Sequence, residues 1–228
     1  MAEILVIAAH PDDEVLGCGG VIARHARAGD TVRVVIMAEG VTSRAGTSIE
    51  KDEALAQLRT AATKANQILG TAELFMEGLP DNRLDSLDRL DVIQRVESHI
   101  ERWKPSVVYT HHIGDVNVDH QVVHHAAVTA CRPRPGHSVE SLLFFEVASS
   151  TEWQPPGSGV PFQPNWFVSI KDTLNLKLAA LDAYRMEMRE WPHARSLRSV
   201  EHLARWRGAS MGVEAAEAFM LGRRRETA

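Results

Sequence analysis

Apolar runs alternate with helical periodicities along the first 150 residues. Residues 3–9 are continuously apolar after Glu3 and predict a buried strand. Residues 14–28 predict a helix, with Val15, Ile22, Ala23 and Ala26 near helical spacing and Gly29-Asp30 as its stop. A second strand is predicted over 31–38, then a Gly/Ser/Thr-rich loop over 39–49 and a helix over 50–69 ended by Gly70. A short strand over 73–76 leads to a turn at Leu79-Pro80-Asp81-Asn82. A helix over 86–103 is stopped by Pro105, a strand covers 106–110, and a helix covers 120–131. Beyond residue 140 the pattern changes. Residues 141–147 and 166–170 predict strands around a Pro/Gly-rich loop, 151–165. Helices follow over 172–190 and 197–207, separated by a break at Pro192-His193-Ala194-Arg195-Ser196. Alternating strands and helices imply an α/β fold, a mostly parallel sheet with helices on both faces. No domain boundary is read. The whole chain, 1–228, is expected to be one domain, with residues from about 140 completing the substrate cleft.

Composition narrows the function. A net charge of -5 gives no concentrated basic surface for nucleic acid. The run Arg223-Arg224-Arg225 reads as a solvated tail. Cys18 and Cys131 make no disulfide framework, which points to a reducing, cytoplasmic setting. No stretch has the roughly 18 apolar residues of a membrane-spanning helix. No signal peptide is read at the N-terminus.

The chemistry concentrates in two segments. His10-Pro11-Asp12-Asp13-Glu14 follows the first strand, and Asn117-Val118-Asp119-His120 follows the fourth. In parallel sheets ligands bind at the carboxyl ends of strands, so these distant segments are expected to meet. His10, Asp13 and His120 offer nitrogen and oxygen ligands for a metal, and three protein ligands leave a fourth position for water. Asp12, beside them, can take a proton from that water and pass it to a leaving group. The plainer reading makes Asp12 or Asp13 a cap of the helix that follows. His111 and His112 are strand-end residues that can line a site, and His124 reads as structural. Gly17-Cys18-Gly19-Gly20 is not a dinucleotide fingerprint; its small residues are expected to let the helix pack closely.

The AHPDDE segment resembles the signature of the LmbE-like, or PIG-L-like, de-N-acetylases. Glu39-Gly40, Leu69-Gly70, Leu79-Pro80-Asp81, Asp119-His120 and Ala216-Glu217-Ala218-Phe219 extend the resemblance over most of the chain. It implies a Rossmann-like fold and a zinc-dependent hydrolase that removes the acetyl group from N-acetylglucosamine-type sugars and their conjugates. It also implies zinc ligands at His10, Asp13 and His120 and a general base at Asp12. The second motif departs from the common His-Pro-Asp-His form. Asn117 stands where the first histidine would assist at the carbonyl oxygen or leaving amine; as a catalytic residue there it can donate a hydrogen bond but cannot deliver a proton. Asp119 remains to orient a neighbouring histidine. The missing proton is then assigned to Asp12 acting as both base and acid, or to His112 or His193. Substrate contacts are expected from Arg44, His112, His193 and Arg195, and the loop 151–165 with Trp153 is expected to form a wall or lid.

Fe2+, Co2+ or Mn2+ suit the same ligands as Zn2+. The expected partner is a small amino-sugar substrate or glycoconjugate, and a homo-oligomer is a weaker expectation from the resemblance. Two other classes compete. A non-haem iron oxygenase shares the two-His-one-carboxylate pattern but commonly sits on an all-β scaffold. A non-catalytic sugar-binding protein would explain Asn117 but not the retained Asp12.

Overall fold

The computed structural model describes residues 1–41, 43 and 47–226. The strands are β1 (Glu3–Ala8), β2 (Thr31–Ala38), β3 (Glu73–Leu79), β4 (Val107–His111), β5 (Ser141–Phe145), β6 (Trp166–Ser169) and β7 (Ala216–Arg224). The α-helices are α1 (Asp13–Arg27), α2 (Ser48–Leu69), α3 (Arg89–Trp103), α4 (Val118–Ala130), α5 (Leu174–Ala183) and α6 (Leu197–Ala209). The strands form one sheet in the order β3-β2-β1-β4-β5-β7-β6. The first five pair in parallel, and β7 runs antiparallel between β5 and β6. The α/β, mostly parallel sheet expected from the sequence is therefore what the chain forms.

Strand order reverses between β1 and β4. The chain winds outward from β1 through β2 to β3, then returns to place β4 on the other side of β1. Such a switch point leaves a crevice at the carboxyl ends of the two central strands. Both motif segments leave their strands there. Continuously apolar β1 is buried on both faces, as a central parallel strand must be. One core layer packs α1, α2, α5 and α6 against one side of the sheet, and a second packs α3 and α4 against the other.

Three readings change. The helix predicted over 172–190 ends at Ala183, and residues 184–196 turn back towards the site. The Arg223–Arg225 run is not a solvated tail. Arg223 and Arg224 end β7, the Arg223 guanidinium donates to the Cys131 carbonyl, and Arg225 Nη2 donates to the His137 carbonyl at 2.6 Å. The Arg223 and Arg225 side chains thus fasten the strand to the base of the sheet. Third, α1 is not continuous. Cys18 has non-helical angles (φ -147°, ψ 24°), which breaks the hydrogen-bond ladder inside the helix.

That break is repaired by residues from far along the chain. Glu217 on β7 accepts from the Gly20 and Val21 N–H groups at 2.9 and 2.7 Å. Lys177 on α5 donates to the Leu16 carbonyl at 2.8 Å and to Glu217 at 2.6 Å. The ion pair is buried, and each charge also meets the backbone groups that the break leaves without partners. The glycine run allows close packing. A Cβ at Gly17 would lie 2.3 Å from the Phe145 ring, and one at Gly20 would lie 2.7 Å from Ile170.

Candidate functional site

Asp12 follows β1 with φ 108° and ψ -28°, a left-handed conformation uncommon for a residue with a Cβ. Holding it costs about 1–3 kcal/mol. Buried Glu14 helps to hold it, accepting from the Asp12 N–H at 3.1 Å while Asn66 and the Tyr184 hydroxyl donate to the other carboxylate oxygen at 3.0 and 2.7 Å. Burial pushes the Glu14 carboxyl up to about 7, although Tyr184 and the backbone donors favour its ionised form. Gly40 supports the same turn. At φ 89° it faces Pro11, and a Cβ there would lie 2.7 Å from the proline ring.

Asp12 occupies the N-cap position of α1, yet its side chain makes no capping bond. Its carboxylate instead meets Arg195, with Nη1 3.2 Å from Oδ2. Burial raises the proton affinity of Asp12 well above that of an ordinary carboxyl; Arg195 opposes this, and the neighbouring carboxylates Asp13, Glu187 and Glu14 reinforce it. Arg195 is held in turn by its Nε bond to the Ser149 hydroxyl at 2.9 Å.

Next to Asp12, the ligand-type atoms of His10, Asp13 and His120 all lie within 4.8 Å of one another. Asp13 Oδ2 is 3.3 Å from His10 Nδ1 and 3.1 Å from His120 Nε2. The far nitrogen of each ring faces another carboxylate. His10 Nε2 is 3.0 Å from Asp119 Oδ2, and His120 Nδ1 is 3.1 Å from Asp115 Oδ2. The first contact is a hydrogen bond; the second is close enough for ionic attraction, but its angle is poor for a hydrogen bond. Asp119 is fixed by the Leu84 N–H at 2.9 Å, and Asp115 by the Ser150 and Thr151 hydroxyls and the Asn117 N–H.

The electrostatics describe a site built for positive charge. Burial disfavours the imidazolium of His10, but Asp119 and Asp13 outweigh it and push the ring up to about 10. His120 is likewise raised to about 9 by Asp13 and Asp115 against burial. Asp13 lies well below the usual carboxylate range because His120 and His10 outweigh its desolvation. Without a metal, two adjacent buried rings therefore tend to hold protons around one carboxylate. A divalent cation can replace both protons, so the donor set fits a metal bound by two nitrogens and one oxygen.

His111 completes this wall. Its Nε2 accepts from the Ala9 N–H at 2.8 Å, and its ring stacks on His120 with centroids 4.0 Å apart. Burial and the adjacent His120 charge keep it well below an ordinary histidine, so it packs as a neutral ring.

The other expected site residues are distributed unevenly. Asn117 is the N-cap of α4. Its side-chain oxygen accepts from the Asp119 and His120 N–H groups at 2.8 and 3.4 Å, and its amide donates to Asn82. Asn117 thus sets the start of the helix that carries Asp119 and His120, with both ends of its amide engaged. His112 is turned towards the Val160 carbonyl, 2.8 Å from Nε2, and against Phe162. His193 accepts the Arg195 N–H at 3.0 Å, holding the turn that delivers Arg195. Arg44 lies outside the described residues.

Sequence reasoning assigned no role to Asp115 or Asp81. Asp81 Oδ1 approaches His10 Nε2 at 3.5 Å, while its other oxygen holds the Ser43 N–H and hydroxyl. Each had a visible signal, a carboxylate in a loop at the carboxyl edge of the sheet. The structure adds the neighbouring histidine.

Comparisons with known proteins identify the family and the fold. A family model described as PIG-L, GlcNAc-PI de-N-acetylase, matches residues 5–131. The uncharacterized deacetylase YaiS of Escherichia coli K12 is 32% identical over 188 residues, covering 80% of this chain and 90% of that protein. The solved N,N'-diacetylchitobiose deacetylase of Pyrococcus horikoshii superposes with a TM-score of 0.79 at 20% identity, covering 97% of this chain and 84% of that one. GalB of Pseudomonas putida KT2440, a 4-carboxy-2-hydroxymuconate hydratase, superposes with a TM-score of 0.80 at 23% identity, over 100% and 99% of the two chains. Likeness at these low identities establishes the fold, which by itself does not fix the reaction. The family match over more than half the chain, joined to the YaiS relationship, makes this chain a member of the PIG-L, or LmbE-like, family of deacetylases.

Proposed function

We propose that the protein hydrolyses the acetamide of an N-acetylglucosamine-type sugar or its conjugate, using a divalent metal ion, with zinc the best match. The observation that carries this reading is the convergence of His10, Asp13 and His120 beside a buried carboxylate, Asp12, that is free of any capping role. His10 through Nδ1, His120 through Nε2 and Asp13 would hold the ion. Zn2+ suits two nitrogens and one oxygen, and Fe2+, Co2+ or Mn2+ are accommodated by the same donors. Such an ion supplies Lewis acidity and a water of lowered pKa.

The chain's own residues supply the proton chemistry. Asp12 takes a proton as water adds to the acetamide carbonyl. It returns that proton to nitrogen as the C–N bond breaks, releasing acetate and the free amine. Its raised proton affinity suits the second step, and Arg195 keeps the carboxylate aimed. Asp119 orients the His10 ring by a hydrogen bond, and Asp115 faces the His120 ring at ionic distance. With the Asn117 amide committed to α4 and to Asn82, the single carboxyl of Asp12 serves both steps. Arg195 and His193 stand where they can meet substrate hydroxyls. Cys18 and Cys131 are both buried and unpaired, which supports a reducing, cytoplasmic setting.

Acetate release from a panel of N-acetylglucosamine conjugates tests the proposal, using metal-stripped protein and protein with zinc restored. Zinc-dependent acetate from one conjugate is expected. Fully metallated protein that releases none from the panel, yet hydrates an unsaturated carboxylic acid as the GalB reaction does, would overturn it.

A further inference from the structure

Beside the turn at Pro192-His193-Ala194 the fold opens a cleft of about 660 Å3. Its floor is one face of α6, where Ser199, Leu203 and Trp206 recur at helical spacing. Trp153 and Trp191 form walls. These indoles are 54%, 49% and 68% exposed for Trp153, Trp191 and Trp206, although each could bury a large apolar area. Exposed aromatic surface gathered in a concavity and rimmed by polar groups marks a binding site.

The cleft abuts the turn that delivers Arg195 to the catalytic corner. Its wall includes His193 and Ala194, immediately before Arg195, whose guanidinium contacts Asp12. Trp153 meets His193 edge-on at 5.6 Å. It also follows Glu152, whose carboxylate accepts from the Ser149 N–H at 2.6 Å, and Ser149 holds Arg195. One turn of chain, 193–195, thus links the cleft wall to the Asp12 carboxylate.

The lining chemistry selects the occupant. Glu146 and Arg207 form a two-pronged pair at 2.9 and 2.8 Å, which neutralises the cation nearest the floor. Together with Glu152, this leaves no surplus positive charge for phosphate. An acyl chain would leave these charged groups facing hydrocarbon. A pyranose ring fits both parts, laying its apolar C–H face on an indole and turning its hydroxyl edge to carboxylate, guanidinium and imidazole. The volume lies within the about 300–1,000 Å3 of small-molecule sites, room for more than one ring.

We propose that this cleft is a glycan subsite, so that the preferred substrate carries its acetamido sugar next to further sugar rings. As a statement about substrate choice this rests on the deacetylase reading above; as a statement about binding it rests on the cleft alone.

The test uses the zinc-loaded full chain and N-acetylglucosamine oligomers of one to four units, in β- and α-linked forms. For at least one linkage, kcat/KM for acetate release should rise by about tenfold or more from one unit to three, and Trp206→Ala should remove most of that gain, the size expected for truncating an aromatic anchor. Trp206→Phe should keep most of it. Cellotriose and maltotriose, which carry no acetamide, separate the two readings. Quenching of tryptophan fluorescence by either, lost in Trp206→Ala, supports the subsite even if no acetate is released, and only the deacetylase reading then fails. Absence of both length dependence and trisaccharide binding overturns the subsite. A dimer that Trp206→Ala dissociates in sedimentation, with length dependence unchanged, also overturns it and makes the cleft an interface between copies.

Discussion

Replacing Arg195 by methionine removes the positive charge that faces Asp12 while keeping much of the side chain's bulk. The guanidinium nitrogen lies 3.2 Å from Asp12 Oδ2, and the two side chains are 25% and 3% exposed. At an effective dielectric of about 20, opposite charges at that separation attract by about 5 kcal/mol; water at the partly exposed arginine brings the net effect to about 1–3 kcal/mol. Each 1.36 kcal/mol is about one pKa unit, so the Asp12 pKa should rise by about one to two units in the variant. The sign follows from its role. A base acts when ionised, and burial already holds the Asp12 pKa above that of an ordinary carboxyl. Losing the arginine raises it further, so the acid limb of kcat/KM for acetate release should move to higher pH by about one to two units. Activity on the alkaline side of that limb should fall much less. Arg195→Lys should show a smaller shift, because lysine keeps the charge but not the planar fork. An acid limb that stays in place, or moves to lower pH, would refute the electrostatic link between Arg195 and the catalytic base.

Other substitutions probe the remaining contacts. Asp12→Asn should keep bound metal by elemental analysis and lose at least about a hundredfold in kcat, in line with removal of a general base; full activity would exclude Asp12 from the proton transfers. Asp115→Asn, which alters the carboxylate behind His120, should weaken metal binding by about 10–100-fold in a chelator competition. Lys177→Met should lower stability by about 3–5 kcal/mol in denaturant unfolding, because it strands the buried Glu217 charge, whereas the double change Lys177→Met with Glu217→Gln should recover part of that loss. Gly20→Ala should cost about 1–3 kcal/mol because its methyl meets Ile170, and an unchanged midpoint would show that the isoleucine moves aside freely.

The sequence announced some of this arrangement clearly and was silent on other parts. The β1-to-α1 segment was legible because a fully apolar strand, a His-Pro step and two carboxylates occur in immediate succession. The approach of His120 to Asp13 was legible only through the topology rule that gathers strand ends at a switch point. Asp12 as N-cap residue is the instructive case. Position gives it the place of a cap, as the plain reading held, but the left-handed backbone turns its carboxylate to Arg195, and no local pattern encodes that angle. The overlong helix at 172–190 had a similar cause. Tyr184 and Met188 continue the helical apolar spacing, but Tyr184 is drawn inward by its hydrogen bond to Glu14 and the chain turns there. The basic run at 223–225 misled because each arginine is spent on backbone carbonyls or strand pairing, contacts that composition cannot reveal. The ion pair of Lys177 and Glu217 had no sequence signal, since its need arises from a helix break at Cys18.

That repair sets an order of events for a chain made from its N-terminus. The bond from Val21 to Glu217 spans 196 residues, which takes roughly 10–40 seconds to synthesise at about 5–20 residues per second. Well within that interval His10, Asp13 and later His120 leave the ribosome, while α1 still lacks the carboxylate that joins its two halves. The edge of β5 is also uncovered until β7 arrives, an invitation to pair with another nascent chain. The emerging chain can therefore display every candidate metal ligand before it owns a stable place to hold them. Until β7 pairs with β5 and Glu217 reaches α1, the site segments stand on an incomplete sheet and a broken helix.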